Sequence, residues 1–428
     1  MSFFMGIDVG TAGVRTAVID ANGMEVAAAS VPMEAPVRVE DRPCQDPRIW
    51  WEAVCQCLGK QAETLRTAGY SMHEIKALAV DGTSGTTLLA DSGLTPLTSG
   101  YMYNSSSFAE EAKAIAVHAP EDSIAQGAGS GVARLLFLQK QPGSRRARFA
   151  CHQADWIAAM LMRRGGLSDE TNVLKMGYDL ERREWPGWFS AVGVNTELLP
   201  AVCPVGDLFG VISDKSASEF GFCKELEVIA GATDSNAAFL ASGASEIGEG
   251  VTSLGTTLAI KFLSDQPVSD ATRGIYSHRI KEMWLAGGAS NTGGGVLLDH
   301  FTTEQMSQME PGLDSKNLTG LDYYPLSRPG ERFPISDPKL QPRLEPRPKN
   351  DLKFFQAMLE GMSEIERVGY AALRDLGSPE LRQVFTAGGG AKNKEWTKIR
   401  EAKLGVPIST ALSSHASVGA ARIAAGLV

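Results

Sequence analysis

The chain has 428 residues, more than one ordinary hydrophobic core needs, so we expect at least two domains. Its formal net charge of −9 disfavours nucleic-acid or anionic-membrane partners, and its six scattered cysteines indicate neither a zinc site nor a disulfide scaffold. No basic leader precedes the first apolar run and no stretch reaches about 18 apolar residues, which predicts a cytoplasmic protein and leaves monomer and homo-oligomer open.

The start of the chain has the pattern of an antiparallel sheet. Apolar runs separated by turn residues predict strands at 3–8, 14–20 and 24–30. Helical spacing of apolar residues follows at 50–68, and a short buried strand at 77–80 then leads to Asp81. Because strands and helices go on alternating, the predicted fold class is α/β.

Around residue 250 the chain repeats its beginning. Residues 252–260 have the same order of strand, Gly-Thr turn and strand as residues 7–11 and the run that follows them. Gly10 and Gly255 lie 255 − 10 = 245 residues apart. This is a domain-sized separation, and it favours two lobes built on a duplicated unit, as in actin-like folds.

In the rest of the chain, we expect one irregular segment followed by regular elements. Residues 313–350 are rich in proline, arginine, aspartate and glycine, which predicts an irregular surface excursion. The elements expected after it are a helix at 351–376, a strand at 383–386, a helix at 393–403 and an alanine-rich helix at 417–427.

The residues around the first Gly-Thr turn have the chemistry of a phosphate site. Gly10 lets backbone N–H groups approach phosphate oxygens, Thr11 adds a hydroxyl donor and Arg15 adds positive charge. Asp8, at the end of the preceding apolar run, suits a Mg²⁺ ion held through water. The alternative is a hairpin turn that uses glycine and aspartate for its geometry alone.

Two further glycine turns allow the same pair of interpretations. Gly255 and Thr256 follow an apolar run as in the first turn, and finding two such turns favours a nucleotide held by both lobes. Gly388 and Gly389 lie between a strand and a helix, where backbone can lie flat against a base or an α-phosphate. Plain packing of a turn is the alternative.

Two other polar segments are candidates for sugar chemistry. Asp234 precedes an apolar helix, where it is either the helix N-cap or a general base for a sugar hydroxyl. The turn at 81–86 offers the hydroxyls of Thr83 and Ser84 to a polyol, or simply connects two strands. The six histidines have no metal-ligand spacing and lie beside no serine nucleophile, so we assign them no catalytic role.

In this order the segments resemble the FGGY carbohydrate kinase family over essentially the whole chain. The resemblance is carried by its first phosphate, catalytic-aspartate, second phosphate and adenosine motifs, at 6–11, 231–234, 253–257 and 388–393. Each motif is short, but four in the correct order are specific. Residues 154–156, 168–172 and 287–294 are similar to the connecting segments of the family.

The resemblance implies an actin-like (ribonuclease H-like) α/β fold of two lobes with a central cleft, binding ATP, Mg²⁺ and a small sugar. It implies Asp234 as the base, in contact with the sugar, and Asp8 as a second catalytic residue that organises Mg²⁺, phosphate and sugar. The implied nucleotide-binding residues are Gly10, Thr11, Arg15, Gly255, Thr256, Gly388, Gly389, Asn393 and Trp396. Lobe one, for sugar and phosphate, is expected at 1–241 with a C-terminal helix at 414–428 returning to it, and the nucleotide lobe at 242–413.

Two departures narrow the predicted substrate. Where many members have a Trp-x-Asp-x-Arg segment that holds the sugar, residues 101–107 lack both the acid and the arginine. The turn at 81–86 differs from the Gln-Met-His-Gly turn usual in xylulose kinases and is similar to that of a compact branch in cyanobacteria and plants that phosphorylates D-ribulose. We therefore predict a D-ribulose kinase in which Thr83 and Ser84 bind the sugar. The rivals are D-xylulose, ribitol or glycerol as substrate and, as another class, an actin-like ATPase switch or a sugar sensor.

Overall fold

The computed structural model describes residues 2–121 and 123–428, with the backbone alone at position 271. The chain divides into two compact units. Unit 1 consists of Met1–Ala241, Arg279–Lys281 and His415–Val428, and unit 2 of Ser242–His278 and Glu282–Ser414. Helices and sheets are mixed along the whole chain, so the predicted α/β class is confirmed.

The strands are numbered in chain order. Those before residue 240 are β1 (Phe3–Val9), β2 (Gly13–Asp20), β3 (Glu25–Pro32), β4 (Val37–Val39), β5 (Arg42–Gln45), β6 (Ile75–Gly82), β7 (Thr87–Ala90), β8 (Gly100–Tyr101), β9 (Phe149–His152), β10 (Leu167–Asp169), β11 (Ala201–Cys203), β12 (Leu208–Val211) and β13 (Glu227–Thr233). Those after it are β14 (Glu249–Leu254), β15 (Leu258–Ser264), β16 (Tyr276–Ile280), β17 (Met283–Ala289), β18 (Gln383–Ala387) and β19 (Ile408–Thr410).

The helices follow the same numbering. They are α1 (Pro47–Thr67), α2 (Ala109–Ala116), α3 (Gly131–Gln139), α4 (Gln153–Met162), α5 (Glu170–Val173), α6 (Asp214–Phe220), α7 (Asp234–Leu240), α8 (Gly294–Leu298), α9 (Thr303–Met309), α10 (Asp351–Asp375), α11 (Lys394–Leu404) and α12 (Ala416–Ala424). The four helices predicted at 50–68, 351–376, 393–403 and 417–427 match α1, α10, α11 and α12, with bounds that differ by three residues or fewer. Within the described ranges, no helix has the length and apolar character needed to cross a membrane.

The main sheet of unit 1 has the strand order β12-β13-β6-β1-β2-β3. β1 pairs antiparallel with β2 and parallel with β6, and β6 pairs parallel with β13. Helix α12 packs closely on β1, since a Cβ atom at Gly6 would lie 1.9 Å from the backbone oxygen of Ser417. Because β1, β6 and β13 are paired in parallel, their carboxyl ends lie side by side at one edge of this sheet.

A second sheet of unit 1 has the order β4-β5-β8-β7-β9. The turn at 83–86 runs from the end of β6 in the main sheet to the start of β7 in the second sheet. The polar turn that the sequence indicated thus lies directly beyond the edge where β1, β6 and β13 end.

The six-stranded sheet built mainly from unit 2 has the order β16-β17-β15-β14-β18-β19. β14 pairs antiparallel with β15 and parallel with β18, which is the relation that β1 has to β2 and β6. The turn at 255–257 between β14 and β15 corresponds to the turn at 10–12 between β1 and β2. The sequence echo near residue 250 is therefore a repeated strand arrangement.

The excursion at 313–350 has little regular structure, as predicted, but the prediction of a surface segment was wrong in part. Phe333 is 1% exposed, and its ring packs against backbone at Gly288 and Gly369, where a Cβ atom would lie 2.4 and 2.9 Å from it. Glu331 is also buried and accepts hydrogen bonds from Ser290 Oγ and Asn291 N at 2.6 and 2.8 Å. Prolines prevent regular elements here but do not prevent burial of the side chains beside them.

Candidate active site

Three aspartates lie at the neighbouring ends of parallel strands in unit 1. Asp8 of β1 and Asp81 of β6 are direct Cα partners, and Ala232 of β13 is the partner of Asp81 on its other side. Asp234 comes two residues after Ala232, just beyond the end of β13. Strand pairing thus gathers three carboxyl groups that are far apart in sequence.

Asp81 is the member of this group that the sequence did not single out. It is fully buried, and its two carboxyl oxygens receive no hydrogen bond from any residue that the structure describes. Burial, followed by the charges of Asp8 and Asp234, raises the pKa of Asp81 well above its usual range. Two adjacent buried carboxyl groups repel each other when both are ionised, so the paired positions of Asp8 and Asp81 favour protonation of one of them.

Asp8 is nearly buried and faces the cation predicted for phosphate binding. Arg15 Nη1 lies 3.4 Å from Asp8 Oδ2, while the Arg15 side chain remains 52% exposed. Burial raises the pKa of Asp8, and the charge of Arg15 opposes this. Gly10 N donates to Gly13 O at 3.0 Å to close the turn, and Thr11 is held through its carbonyl by buried Gln45.

Asp234 is the first residue of α7, and the helix N-cap is Thr233. The capping alternative for Asp234 was therefore wrong. Thr233 is held in place because its N–H donates to Thr171 Oγ1 at 2.9 Å, and Thr171 Oγ1 donates to buried Asp169 at 2.6 Å. The Asp234 carboxyl, which accepts from Ser235 N at 2.6 Å, is partly exposed and so accessible to a ligand.

The two hydroxyls that were predicted to bind the sugar differ in their hydrogen bonding within the polar turn. Thr83 Oγ1 donates to Gln153 Oε1 at 2.7 Å and shares a 2.6 Å hydrogen bond with Thr86 Oγ1, so it is engaged inside the protein. Ser84 Oγ is buried and has no hydrogen-bond partner in the described part of the chain. An unpaired buried hydroxyl is costly unless a ligand completes it, which makes Ser84 the stronger candidate for sugar contact.

An arginine from a distant helix holds the segment that departs from the family pattern. Arg134 of α3 is 1% exposed, and its guanidinium donates to Gly85 O, and to Ser105 O and Gly129 O at 3.2 and 3.3 Å. It therefore ties the polar turn to the segment at 101–107. No sequence motif indicates this contact, because Arg134 lies 49 positions from Gly85.

Unit 2 contains the second predicted phosphate turn. Gly255 accepts from Gly294 N at 2.8 Å, and Thr256 accepts through its carbonyl from Gly295 N at 2.9 Å. Gly293, with φ of +142°, lies so close that a Cβ atom there would be 2.6 Å from Thr257 Cα. A second glycine run thus packs against the turn and fixes its backbone, while the Thr256 side chain stays exposed.

The predicted adenosine turn adjoins the phosphate turn within unit 2. A Cβ atom at Gly388, whose φ is +87°, would lie 2.6 Å from Leu254 O, whereas a Cβ atom at Gly389 would meet no described atom within 4 Å outside its own stretch of chain. Asn393 is the N-cap of α11 and accepts from Trp396 N at 2.9 Å. Gly389 therefore offers the open backbone that a flat base needs.

Trp396 has a different place from the one predicted. It is 3% exposed and belongs to the core of unit 2, and its Nε1 donates to Ser363 Oγ at 2.9 Å. A Cβ atom at Gly390 would lie 2.6 Å from the indole ring. The indole ring of Trp396 therefore packs against the glycine turn from the core of unit 2. Its burial does not fit direct contact with adenosine.

The arrangement of acidic side chains bears on how the predicted Mg²⁺ ion could be bound. Among the described residues, no group of three or more His, Cys, Asp or Glu side chains is arranged to hold a metal ion. Mg²⁺ that arrives with a nucleotide needs only one or two carboxylates, because phosphate and water oxygens complete its shell. The Asp8 carboxylate is compatible with Mg²⁺ that arrives with ATP.

Comparison with solved structures identifies the class of fold. A xyloylose kinase from Brucella ovis matches with a TM-score of 0.85 and 21% identity, over 99% of this chain and 90% of that one. The Plasmodium falciparum glycerol kinase with ADP matches with a TM-score of 0.83 and 16% identity, over 100% and 90%. The fold is thus the two-domain actin-like (ribonuclease H-like) fold of sugar kinases, as predicted.

Family comparison makes the assignment more specific. Residues 3–241 match the N-terminal domain, and residues 250–427 the C-terminal domain, of the FGGY family of carbohydrate kinases. The chain belongs to this family and is an ATP-dependent sugar kinase. An autoinducer-2 kinase from Yersinia pestis bv. Antiqua (strain Angola) is 26% identical over 463 residues, covering 99% of this chain and 86% of that protein.

Proposed function

We propose that this kinase phosphorylates the ketopentose D-ribulose to D-ribulose 5-phosphate. The observation that carries the proposal is the buried Ser84 hydroxyl, which has no hydrogen-bond partner among the described residues and belongs to the turn that follows β6. Asp8, Asp81 and Asp234 supply carboxyl oxygens at the neighbouring strand ends. Acceptors of this kind suit a chain of sugar hydroxyls, each of which donates one hydrogen bond. The turn sequence around Ser84, similar to that of D-ribulose kinases, supports this sugar over others.

Asp234 is proposed as the general base. Its partly exposed carboxylate accepts the proton of the attacking hydroxyl as the new O–P bond forms and the bond from the γ-phosphorus to the bridging oxygen of ADP breaks. Thr171 and Asp169 hold the start of α7 so that the base keeps one position. Burial and the neighbouring carboxylates raise the pKa of Asp81, which disfavours a second negative charge near the transferring group.

The phosphate-binding residues act mainly by position and charge. Within unit 1, Gly10, Thr11 and Arg15 are proposed to bind phosphate through backbone N–H groups, a hydroxyl and a guanidinium. Within unit 2, Gly255 and Thr256 are proposed to bind phosphate through backbone N–H groups and a hydroxyl. Mg²⁺, when bound with ATP beside Asp8, supplies charge neutralisation for the phosphates. The glycine turn at 388–389 is proposed to bind the adenosine.

A second candidate substrate comes from the curated relatives. The similar Yersinia proteins are autoinducer-2 kinases, and their similarity extends over 99% of this chain. The strand-end carboxyls of unit 1 and the small hydroxyls of the turn at 81–86 also suit another short polyhydroxy ketone, since the segment at 101–107 contains no sugar-binding arginine. Autoinducer-2 is therefore included among the acceptors tested.

A side-by-side kinetic panel tests the proposal. ADP release is measured with D-ribulose, D-xylulose, ribitol, glycerol, gluconate and autoinducer-2, and in the absence of any acceptor. We expect D-ribulose to give the highest kcat/KM, with D-xylulose at least about tenfold lower, because one misplaced hydroxyl leaves buried polar groups unpaired. Equal turnover of D-xylulose or autoinducer-2 contradicts the D-ribulose assignment, and ADP release that ignores every acceptor favours an ATPase instead.

A further inference from the structure

A buried bidentate ion pair lies in unit 2 and takes no part in the chemistry described above. Arg400 of α11 donates from Nε and Nη2 to the two carboxylate oxygens of Glu366 in α10, each at 2.7 Å. Both side chains are 0% exposed. Burying two charges is costly, and well-packed apolar residues often stabilise a core equally well, so stability alone is a weak reason for such a pair.

The ion pair is bonded to both strands that carry the glycine turns. Thr252 Oγ1 of β14 donates to the Glu366 carboxylate, and Arg400 Nη1 donates to Thr386 Oγ1 of β18 at 2.9 Å. Thr252 and Thr386 are direct Cα partners in the parallel pairing of these strands. One continuous polar network therefore crosses the two strands at a single level.

The glycine turns begin a short distance beyond this level. Gly255 follows Thr252 by three residues, and Gly389 follows Thr386 by three residues, so each turn lies within about 10 Å of this level along the chain. A slip of one residue in this pairing would reverse the side-chain faces and shift one turn by about 3.3 Å relative to the other. It would also separate the threonines that the ion pair binds.

We propose that Glu366 and Arg400 are positioning residues that fix the spacing between the phosphate turn at 255–256 and the adenosine turn at 388–389. This inference rests on the proposed function, because it takes ATP as the ligand of both turns. A ligand that contacts both turns depends on their spacing, whereas a ligand that contacts the phosphate turn alone does not.

The test compares two double variants of the full chain. Glu366→Gln with Arg400→Met removes both buried charges together, so that neither is left unpaired. The matched control is Glu364→Gln with Arg367→Met, which removes a partly exposed 2.7 Å ion pair from the same helix. Calorimetry measures the binding of ADP and of inorganic tripolyphosphate, and kinetics measure KM for ATP and for D-ribulose.

We expect the buried-pair variant to bind ADP about tenfold more weakly or worse, with a matching rise in KM for ATP. Its affinity for tripolyphosphate and its KM for D-ribulose should stay within about twofold of wild type, as should every value for the control. Unchanged ADP affinity overturns the positioning role. Equal weakening of ADP and tripolyphosphate overturns it as well, because it shows a general loss of structure in unit 2.

Two further measurements keep the test decisive. Wild-type protein that binds neither ADP nor ATP contradicts the proposed function itself, and this outcome is distinct from failure of the positioning role. If the double variant does not fold, Arg400→Lys is measured in the same way, since lysine keeps the charge but cannot form the bidentate pair. Normal ADP binding by Arg400→Lys then overturns the proposal, and selective weakening of ADP supports it.

Discussion

Replacing Asp234 by asparagine should remove catalysis while leaving the fold intact. The helix cap is Thr233, and an asparagine carbonyl still accepts from Ser235 N, which lies 2.6 Å from the present carboxylate. The unfolding free energy should therefore change by no more than about 0.5 kcal/mol. Loss of the proton acceptor should lower kcat by about 10²–10⁴-fold, which corresponds to about 2.7–5.4 kcal/mol of barrier.

The matched control is Asp214→Asn. Asp214 is the first residue of α6, a helix of 7 residues like α7, and its N-cap is Ser213. Both variants are compared by coupled ADP release with D-ribulose and by urea denaturation. A near-normal kcat for Asp234→Asn, or an equal loss in the control, rules out Asp234 as the general base.

Three further predictions follow from the same geometry. Ser84→Ala should raise KM for D-ribulose about tenfold and leave KM for ATP and the unfolding midpoint unchanged, because the buried Ser84 hydroxyl has no partner among the described residues. An unchanged KM for D-ribulose contradicts this prediction. Gly388→Ala places a Cβ atom 2.6 Å from a backbone oxygen at a φ of +87°. It should lower the unfolding free energy measured with urea by about 1–3 kcal/mol, and Gly389→Ala should lower it clearly less. Equal losses for the two variants count against the close approach at Gly388. Asp81 has a raised pKa because of burial and two neighbouring carboxylates, so the folded state loses stability as pH rises from about 4 toward that raised pKa. The stability difference between Asp81→Asn and wild type should therefore grow between about pH 5 and about pH 7, and a constant difference in urea titrations at the two pH values rules out the shift.

Much of the fold could be predicted because its signals are local. Strands β1 to β3 are separated by turn residues, and α10 has apolar residues at helical spacing, so each element is set by a short stretch of sequence. The repeated Gly-Thr turn was visible for the same reason. The irregular segment at 313–350 was harder, because proline content predicts the absence of regular structure and says nothing of which side chains become buried.

The candidate site was predictable only where a motif is continuous in sequence. Asp81 begins the polar turn at 81–86, but its surroundings depend on the pairing of β1, β6 and β13, which joins residues more than 70 positions apart. Arg134 reaches the same turn from another helix. Trp396 shows the reverse case, since it lies near the adenosine turn in sequence while tertiary packing turns its ring into the core.

Phosphoryl transfer from ATP to a ketopentose hydroxyl, which we propose for this chain, can be followed in the phosphorus-containing product. Phosphorus NMR of a reaction containing the full chain, Mg-ATP and D-ribulose shows the chemical form of the released phosphoryl group. We expect a phosphomonoester signal split by two methylene protons, formed in step with ADP, as D-ribulose 5-phosphate requires. Inorganic phosphate as the sole new product, at a rate independent of D-ribulose, would contradict it.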